Sequence, residues 1–437
     1  MSAVARPDDT GTAVPRFAVV GNPENRRVTL FADAVRAAGL PEPRVLPWAE
    51  VLCAGAEFVS GETVRIDSPG ENAEVERLLR GVVEPTRVEG TARWYVRFTE
   101  AVREIARAAS AGGATLLDDP AELAVLFHKR RCHGVLRAAG VPVPESPTSG
   151  PAAPTVGGWA ETRELLRDAG LRRAFLKPAH GSSASGVLAL ETDGGSRFRA
   201  TTSVEPGPDG VLFNSLRVRR YTEERQIAAI VDALAPDGLH IERWIPKTAQ
   251  TGRVADLRVV VVAGRATHAV VRTSRSPMTN LHLGGARGDL GAARASIEAS
   301  GARWTDALAV CEAAAACFPR TLSVGVDLLP MVGWRRFVVG EVNAFGDLLP
   351  RLTGFPGSGA EGLDTYGAQV AAAMSRHAST NANNEASRNN DASRNMDRDL
   401  IRGLTNNPGK DRGKIRGRNP AGSLPENGKI GTHRGRP

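Results

Sequence analysis

Two pairs of polar residues, each with one residue between its members, sit inside strongly apolar runs. They are Asp256 and Arg258 in DLRVVVVAG, and Glu341 and Asn343 in RRFVVGEVNAF. Residues two apart on a strand project to the same face. A chain that writes charge at this spacing within apolar strands is bound to a sheet with one face packed on a core and the other face polar. Leaving such charges unpaired against apolar surroundings is costly, so the polar face is expected to hold a site. A third carboxylate, Asp327 in SVGVDLLP, joins it, because a hairpin turning about Trp334 sets Asp327 opposite Glu341. Asp327, Glu341 and Asn343 then converge as hard oxygen donors without His or Cys, the set that Mg²⁺ takes. Arg272, in ATHAVVRTS, falls on the expected partner strand of Asp256 and Arg258. Arginine forks there suit phosphate or developing negative charge.

A second signal is FLKPAHGSSASGVLAL, in which a strand ends at Lys177 and Pro178, a Gly/Ser loop runs from Gly181 to Gly186, and another strand follows. Small residues let backbone N–H groups approach phosphate oxygens, and Lys177 adds a cation. The order G-x-x-x-x-G-K-[ST] of a Walker A loop is absent, and so is a G-x-G-x-x-G fingerprint after the first strand, where GNPENRR stands instead. Further on, SPMTNLHLGGARGD offers Asn280 and the Gly284, Gly285 pair beside a tight turn.

Charge is unevenly placed. The 437 residues carry net +8, yet residues 376–437 alone hold 13 Lys and Arg against 6 Asp and Glu. The remainder is almost neutral, so a nucleic-acid reading falls on that tail rather than on the body. Of 56 basic residues only six are lysine, and the body keeps three: Lys129, Lys177 and Lys247. A site that needs a compact point charge between phosphates resists replacement of lysine by the planar arginine fork. Lys247 reads as an exposed surface lysine, with binding of a substrate carboxylate as the alternative.

From Arg16 onward, RFAVVG followed by VTLFADAVRAAG reads as strand, loop and amphipathic helix, and TVRIDSPGENAEVERLLRG repeats that grammar. These place an α/β domain at 15–114. Residues 115–375 are strand-rich and mixed with helices, an α+β region. From 376 the composition turns to Asn, Arg, Gly and Ser, which predicts a disordered basic tail over 376–437, with at most weak nucleic-acid contacts. No apolar run is long enough to span a membrane. Four scattered cysteines (Cys53, Cys132, Cys311, Cys317) and an N-terminus without a secretory pattern lead to a cytoplasmic expectation.

Taken in order, these segments resemble the ATP-grasp superfamily, in the branch that looks like glutathione synthetase and the ribosomal-protein glutamate ligases. The resemblance covers about 115–375. It is carried by Lys129 before a helix ending in AAGVPVPES, Lys177 with GSSASGV, the hinge stretch IERWIP, DLRV, the R…N…GG loop, VDLL and EVN. The region before it is similar to the small domain that often precedes this fold, and GNPENRRVTLF and RIDSPGENAEVERLL also look like a bacterial ATP-grasp group.

The resemblance implies a lid subdomain about 170–240 and gives positions roles. Lys129 and Lys177 would hold the ATP phosphates, and Glu242 would hydrogen-bond the nucleoside. Gly181, Ser182, Ser183, Ser185 and Gly186 would close over the triphosphate. Arg258 would meet the γ-phosphate or an acyl phosphate, Arg272 and Asn280 would lie toward the acceptor, and Asp327, Glu341 and Asn343 would hold Mg²⁺. The implied activity is ATP-dependent joining of a small-molecule or peptide carboxylate to an amine. A phosphotransferase on the same fold and a non-catalytic ATP-binding protein with a nucleic-acid-binding or partner-binding basic tail are the alternatives. Asn343 is followed by AFG where family members often carry a small residue and Pro-Gly, a departure at the acceptor end.

Overall fold

A computed structural model describes residues 14–379, apart from 83, 85, 151, 182–184, 347, 348 and 350. The first strands are β1 (Arg16–Gly21), β2 (Arg44–Pro47), β3 (Glu62–Ile66) and β4 (Thr115–Leu116), which form a parallel sheet in the order β2-β1-β3-β4. Helices α1 (Arg26–Ala37), α2 (Trp48–Ala54), α3 (Ala73–Arg80) and α4 (Thr91–Gly112) connect them. Asn25 caps α1 and Asn72 caps α3 through side-chain oxygens that accept backbone N–H groups. The period of two divides β1 between two cores. Ala18 and Val20 face Trp48, Phe98 and Ile105, while Phe17 and Val19 face Phe31 and Val35. A last helix, α11 over 365–379, returns to that second face with Tyr366, Val370 and Ala373.

Helices α5 (Pro120–Leu126), α6 (Lys129–Ala138) and α7 (Trp159–Asp168) lead to the second sheet. It contains β5 (Arg173–Pro178), β6 (Leu188–Thr192), β7 (Phe198–Pro206), β8 (Leu212–Tyr221) and β9 (Leu239–Arg243), with α8 (Glu224–Leu234) between the last two strands. Its order is β8-β7-β6-β5-β9, all antiparallel. One face packs on α7 and α8 through Leu176, Leu188, Ile227, Ile230 and Val231.

The third sheet comprises β10 (Ala249–Gln250), β11 (Arg253–Val262), β12 (Arg265–Ser274), β13 (Ala286–Arg287), β14 (Ser323–Pro330) and β15 (Phe337–Ala344). Its main order is β13-β12-β11-β14-β15, again antiparallel. Leu257, Val259, Val261, Val326 and Val342 fill one face against α9 (Leu290–Ala299) and α10 (Trp304–Ala316). The alanines of α10 let that helix lie close on the sheet. The opposite face carries Asp256, Arg258, Arg272, Asp327 and Glu341, the division that the spacing of DLR and EVN predicts. Asp327 pairs with Glu341 across β14 and β15, and Asp256 with Arg272 across β11 and β12. The β14–β15 turn passes through Trp334, which takes φ 60°, and a register shift follows Asp327.

Candidate functional site

Lys177 and Glu341, 164 positions apart in the chain, line the same cleft. It is a narrow crevice with about 20 Å³ of room, and it lies between β5 and β9 of the second sheet and β15 of the third, with α6 alongside. Leu126, Leu136, Val143, Val339 and Val342 line its apolar part, and Lys129, Lys177, Glu242 and Glu341 its charged part. A shared cleft for these groups is what the sequence reading requires.

Lys129 opens α6. Its ammonium lies 2.9 Å from Glu341 Oε1 and donates to the Gly181 carbonyl at 2.6 Å. That second bond ties the Gly/Ser loop to the acidic strand through one side chain. Gly181 therefore reaches the cleft by its backbone. Gly186 takes φ 72°, and a Cβ there would come within 2.6 Å of Pro178 Cγ, so only glycine fits that turn. Ser185 lies in the same turn, and Ser182 and Ser183 lie outside the described residues.

Lys177 pairs directly with His240 across β5 and β9. Its ammonium meets Glu242 Oε1 at 2.6 Å, and Glu242 Oε2 is 3.3 Å from His240 Nε2. Burial works against charge on all three groups, but the ion pair wins for two of them. Burial raises the Glu242 carboxyl, and the nearby Lys177 and His240 outweigh it to leave a value of about 2. Burial lowers Lys177, and Glu242 and Glu341 outweigh it to hold the ammonium above the ordinary lysine value. Burial lowers His240 despite Glu242 beside it. The sequence reading assigns Glu242 to a nucleoside. The structure places its carboxylate on Lys177 and His240, on the wall of the cleft.

The polar face of the third sheet continues the charge network. Arg258 Nε donates to Asp327 Oδ1 at 2.5 Å, and Arg272 Nη2 lies 3.0 Å from the same oxygen. Arg272 Nε donates to Asp256 Oδ1 at 2.9 Å. Burial opposes the Arg272 charge, yet Asp256 and Asp327 hold it well above its ordinary range. Asp256 is likewise pushed far below the carboxylate range, with burial overcome by Arg272 and Lys247. Glu341 is lowered as well, since Lys129 and then Lys177 outweigh its burial. Asn343 faces Gly325 across the ladder and donates its Nδ2 to that carbonyl at 3.3 Å. After it the chain turns through Phe345 and Gly346, each at φ 63°. Phe345 packs on Phe127 and Phe98 with ring centroids 5.6 and 6.5 Å apart, so the AFG departure seats an aromatic anchor under the strand end. Asn280 lies in the loop after β12, where its carbonyl accepts from Leu283 and Gly285 N–H groups.

Lys247 departs from the sequence reading. Far from lying exposed, its side chain is only 8% accessible, because the segment 246–248 is laid along the β14–β15 turn. Among the described residues, no group of three or more His, Cys, Asp or Glu side chains converges as a metal site. The oxygen donors assembled here are two carboxylates and one amide. Near the two site lysines in sequence, His180 stacks on Tyr95 with ring centroids 4.0 Å apart, and His128 meets both rings edge-on at 4.5 and 5.5 Å. Burial pushes His128 down to about 3 and His180 to about 4, so both are neutral at pH 7 and add no charge to the cleft.

Sequence reasoning left Asp256, Thr279 and His240 without roles. The alternation in LHIER puts His240 beside Glu242, and the rarity of lysine marks Lys247. No local signal marks Thr279. No helix among the described residues is long and apolar enough to cross a membrane.

No family model matches the chain, and no curated protein matches it. Solved structures similar to it include the ATP-grasp ligase PsnB complexed with a phosphomimetic variant of its minimal precursor, Mg and ADP, at 17% identity over 82% of this chain and 99% of that one, with a TM-score of 0.43. The macrocyclase MdnC from Microcystis aeruginosa, bound with its precursor peptide MdnA, is similar at 12% identity, 82% and 99% coverage and a TM-score of 0.46. The D-alanine-D-alanine ligase from Coxiella burnetii follows at 13% identity, 86% and 99% coverage and a TM-score of 0.45. Of these three, PsnB is described as an ATP-grasp ligase, MdnC as a macrocyclase and the third as a D-alanine-D-alanine ligase.

Proposed function

We propose that the protein is an ATP-dependent ligase that joins a carboxylate to an amine or a similar nucleophile through an acyl phosphate. The observation that carries this reading is the convergence of Lys129, Lys177, Glu242 and Glu341, from four separate segments, on one cleft between two sheets. Its lining sets apolar side chains, which suit a flat heterocycle once the crevice opens, beside two ammonium groups, which suit a triphosphate. The 170–240 region acts in this reading as the lid.

Asp327, Glu341 and Asn343 are the residues that would hold Mg²⁺, which supplies charge neutralisation on the phosphate oxygens. They fit it. Both arginines meet Asp327 at Oδ1 and Lys129 meets Glu341 at Oε1, so a bound cation would share these carboxylates with the basic groups around them. Asn343 donates through Nδ2, which leaves Oδ1 as the atom a cation takes.

In the first step a substrate carboxylate oxygen attacks the γ-phosphorus, and the bond to the β–γ bridging oxygen breaks to release ADP. In the second, the amine attacks the acyl carbon, a tetrahedral intermediate forms, and phosphate leaves as the amine loses its proton. Lys129 and Lys177 fix the phosphates, and Arg258 stands on the side of Asp327 where the transferred group arrives. Positioning and charge compensation supply most of the acceleration in chemistry of this kind. Free phosphate in the product separates this reading from a phosphotransferase.

The test is an ADP-release screen of the purified full chain with Mg²⁺ and ATP across pooled carboxylates and amines, followed by phosphate assay. Release of ADP and phosphate together in one pool is the expected result. Silence in every pool with tight ATP binding refutes it. Removal of residues 380–437, rather than from 376, preserves the end of α11 and is expected to leave turnover intact. Loss of the main activity on that removal would instead favour a binding protein that works through the tail.

A further inference from the structure

The outer edge of the second sheet is covered over only part of its length. Val88 N–H donates to the Leu212 carbonyl at 3.0 Å, Asn214 N–H donates to the Thr86 carbonyl at 2.7 Å, and Arg87 bridges Phe213, so the segment 86–88 lies along β8 as far as residue 214. From residue 215 onward no strand lies beside β8 on that side among the described residues. β8 leaves its inner partner there too. Asn214 pairs with Val204 and Arg219 with Thr202, so residues 215–218 form a bulge. The bulge is held in shape: Ser215 Oγ accepts Arg217 N–H at 3.1 Å, and Ser203 Oγ donates to Asn214 Oδ1 at 2.7 Å. On it Leu216 is 78% accessible, the most exposed large apolar side chain among the described residues. A lone exposed leucine is ordinary, and its setting is what gives it meaning.

The bulge stands beside the loop that carries Asn280. Val218 packs with Met278 and Leu283, and β8 lies against the turn Leu281–Leu283. Residues 212–221 and 275–287 together carry five arginines and no Asp or Glu. Arg219 pairs with Glu205 at 2.6 Å. The other four, Arg217, Arg220, Arg275 and Arg287, are exposed, and none makes an ion pair among the described residues. Arg275 opens the loop and Arg287 closes it. Unpaired guanidinium forks on two elements that meet beside an exposed leucine suit a partner that brings carboxylates and an apolar side chain. None of these residues lines the crevice that holds Lys177 and Glu341, so a small molecule enclosed there would not reach them. A longer chain would. No Phe, Tyr or Trp is exposed on either segment for a base to stack on, whereas an open sheet edge offers main-chain groups to an extended peptide.

We propose that the open edge of β8 at 215–221 docks an extended acidic peptide, with Leu216 as the apolar anchor and Arg217, Arg220, Arg275 and Arg287 as the charge partners, and that the substrate of the ligase is a peptide of this kind. The substrate half rests on the ligase reading above; the docking site itself does not. Leu216 and the four arginines take no part in the chemistry. They hold the chain whose reacting group the loop 275–287 adjoins.

Selection of a random dodecapeptide phage library on the purified full chain tests the site, followed by fluorescence anisotropy with the enriched sequences as labelled synthetic peptides. Acidic sequences with at least one Leu, Ile, Val or Met are expected, with affinity that falls as NaCl is raised. Leu216→Asp, and Arg217→Glu combined with Arg220→Glu, are expected to weaken the best peptide at least ~10-fold, while Leu216→Met holds it within ~3-fold. These side chains are on the surface, so the urea midpoint is expected to stay at the wild-type value in every variant. Enrichment of neutral or basic sequences, no enrichment, or equal affinity in all variants overturns the docking site. Tighter binding of oligouridylate than of the best peptide overturns it in favour of nucleic acid. The enriched acidic peptides then enter the ADP-release assay with Mg²⁺ and ATP. Release of ADP and phosphate that Leu216→Asp slows through KM and not through kcat supports the substrate half. Turnover with small carboxylates and amines but not with the peptides overturns that half. If no pool turns over, the ligase reading falls and the substrate half with it, and anisotropy still decides the docking site.

Discussion

Replacing Lys177 by Met removes the cation from the most deeply buried ion pair in the cleft while keeping the length of the side chain. The Lys177 side chain is 14% accessible and that of its partner Glu242 only 4%, with 2.6 Å between the charged atoms. Breaking a buried pair from one side costs about 3–5 kcal/mol, because the remaining charge stays desolvated. His240, 3.3 Å away, has its proton affinity lowered by burial, so at pH 7 it offers the carboxylate a hydrogen bond but not a full charge. In the wild type the Glu242 value of about 2 lies below the ordinary 4.5, so its contribution is complete above pH 4.5 and is lost as pH falls toward 2. That gap corresponds to roughly 3 kcal/mol, in keeping with the cost of breaking the pair.

Without Lys177 the sign reverses. Burial then holds the carboxyl above its ordinary value, so the variant is destabilised at pH 7 and regains stability as acid protonates Glu242. Urea unfolding at pH 7 and pH 5 measures this directly. The expected loss at pH 7 is about 3–5 kcal/mol, smaller at pH 5, and at least half recovered in Lys177→Met/Glu242→Gln, where no buried charge is stranded. A single variant within ~1 kcal/mol of wild type at pH 7, or a double variant no better than the single, would refute the account of this pair.

Three further expectations follow from the site and its supports. Glu341→Gln removes a proposed metal carboxylate and the partner of Lys129, so ATP turnover in the ADP-release assay should fall at least ~100-fold, and near-normal turnover would remove Glu341 from the metal set. Gly186→Ala places a methyl against Pro178 at a left-handed turn and should lower the urea midpoint by an amount worth ~1–3 kcal/mol, where an unchanged midpoint would show that the turn tolerates a side chain. His128, His133 and His180 are buried with values pushed down to about 3, about 4 and about 4 from 6.5. The unfolded chain therefore takes up more protons below pH 6.5, and stability should decline steadily from pH 6.5 toward 4 before the carboxylates titrate. A pH titration of the urea midpoint that stays flat to pH 5 would contradict those burials.

The two-residue spacing of Asp256 with Arg258 and of Glu341 with Asn343 was enough to place one polar face on an antiparallel sheet, because strand geometry converts sequence parity into a face without further information. It also sufficed to set Asp327 against Glu341, since a short hairpin leaves little freedom of register. The glycine loop after Lys177 and the strand–loop–helix order of residues 16–39 and 63–81 were legible for the same reason, each being decided within a few residues. Partner choice among the charges was a different matter. Lys129 finds Glu341, Lys177 finds Glu242, and Lys247 finds Asp256 and Thr279 only because three sheets and α6 bring those segments together. Nothing in local spacing distinguishes a lysine aimed into a cleft from one aimed at solvent, which is why Lys247 read as a surface residue. Sequence by itself determined which strand faces are polar and which residue types populate them. Tertiary structure decided which opposite charges meet, because the energy of an ion pair depends on burial and separation, and both are set by elements that lie far apart along the chain.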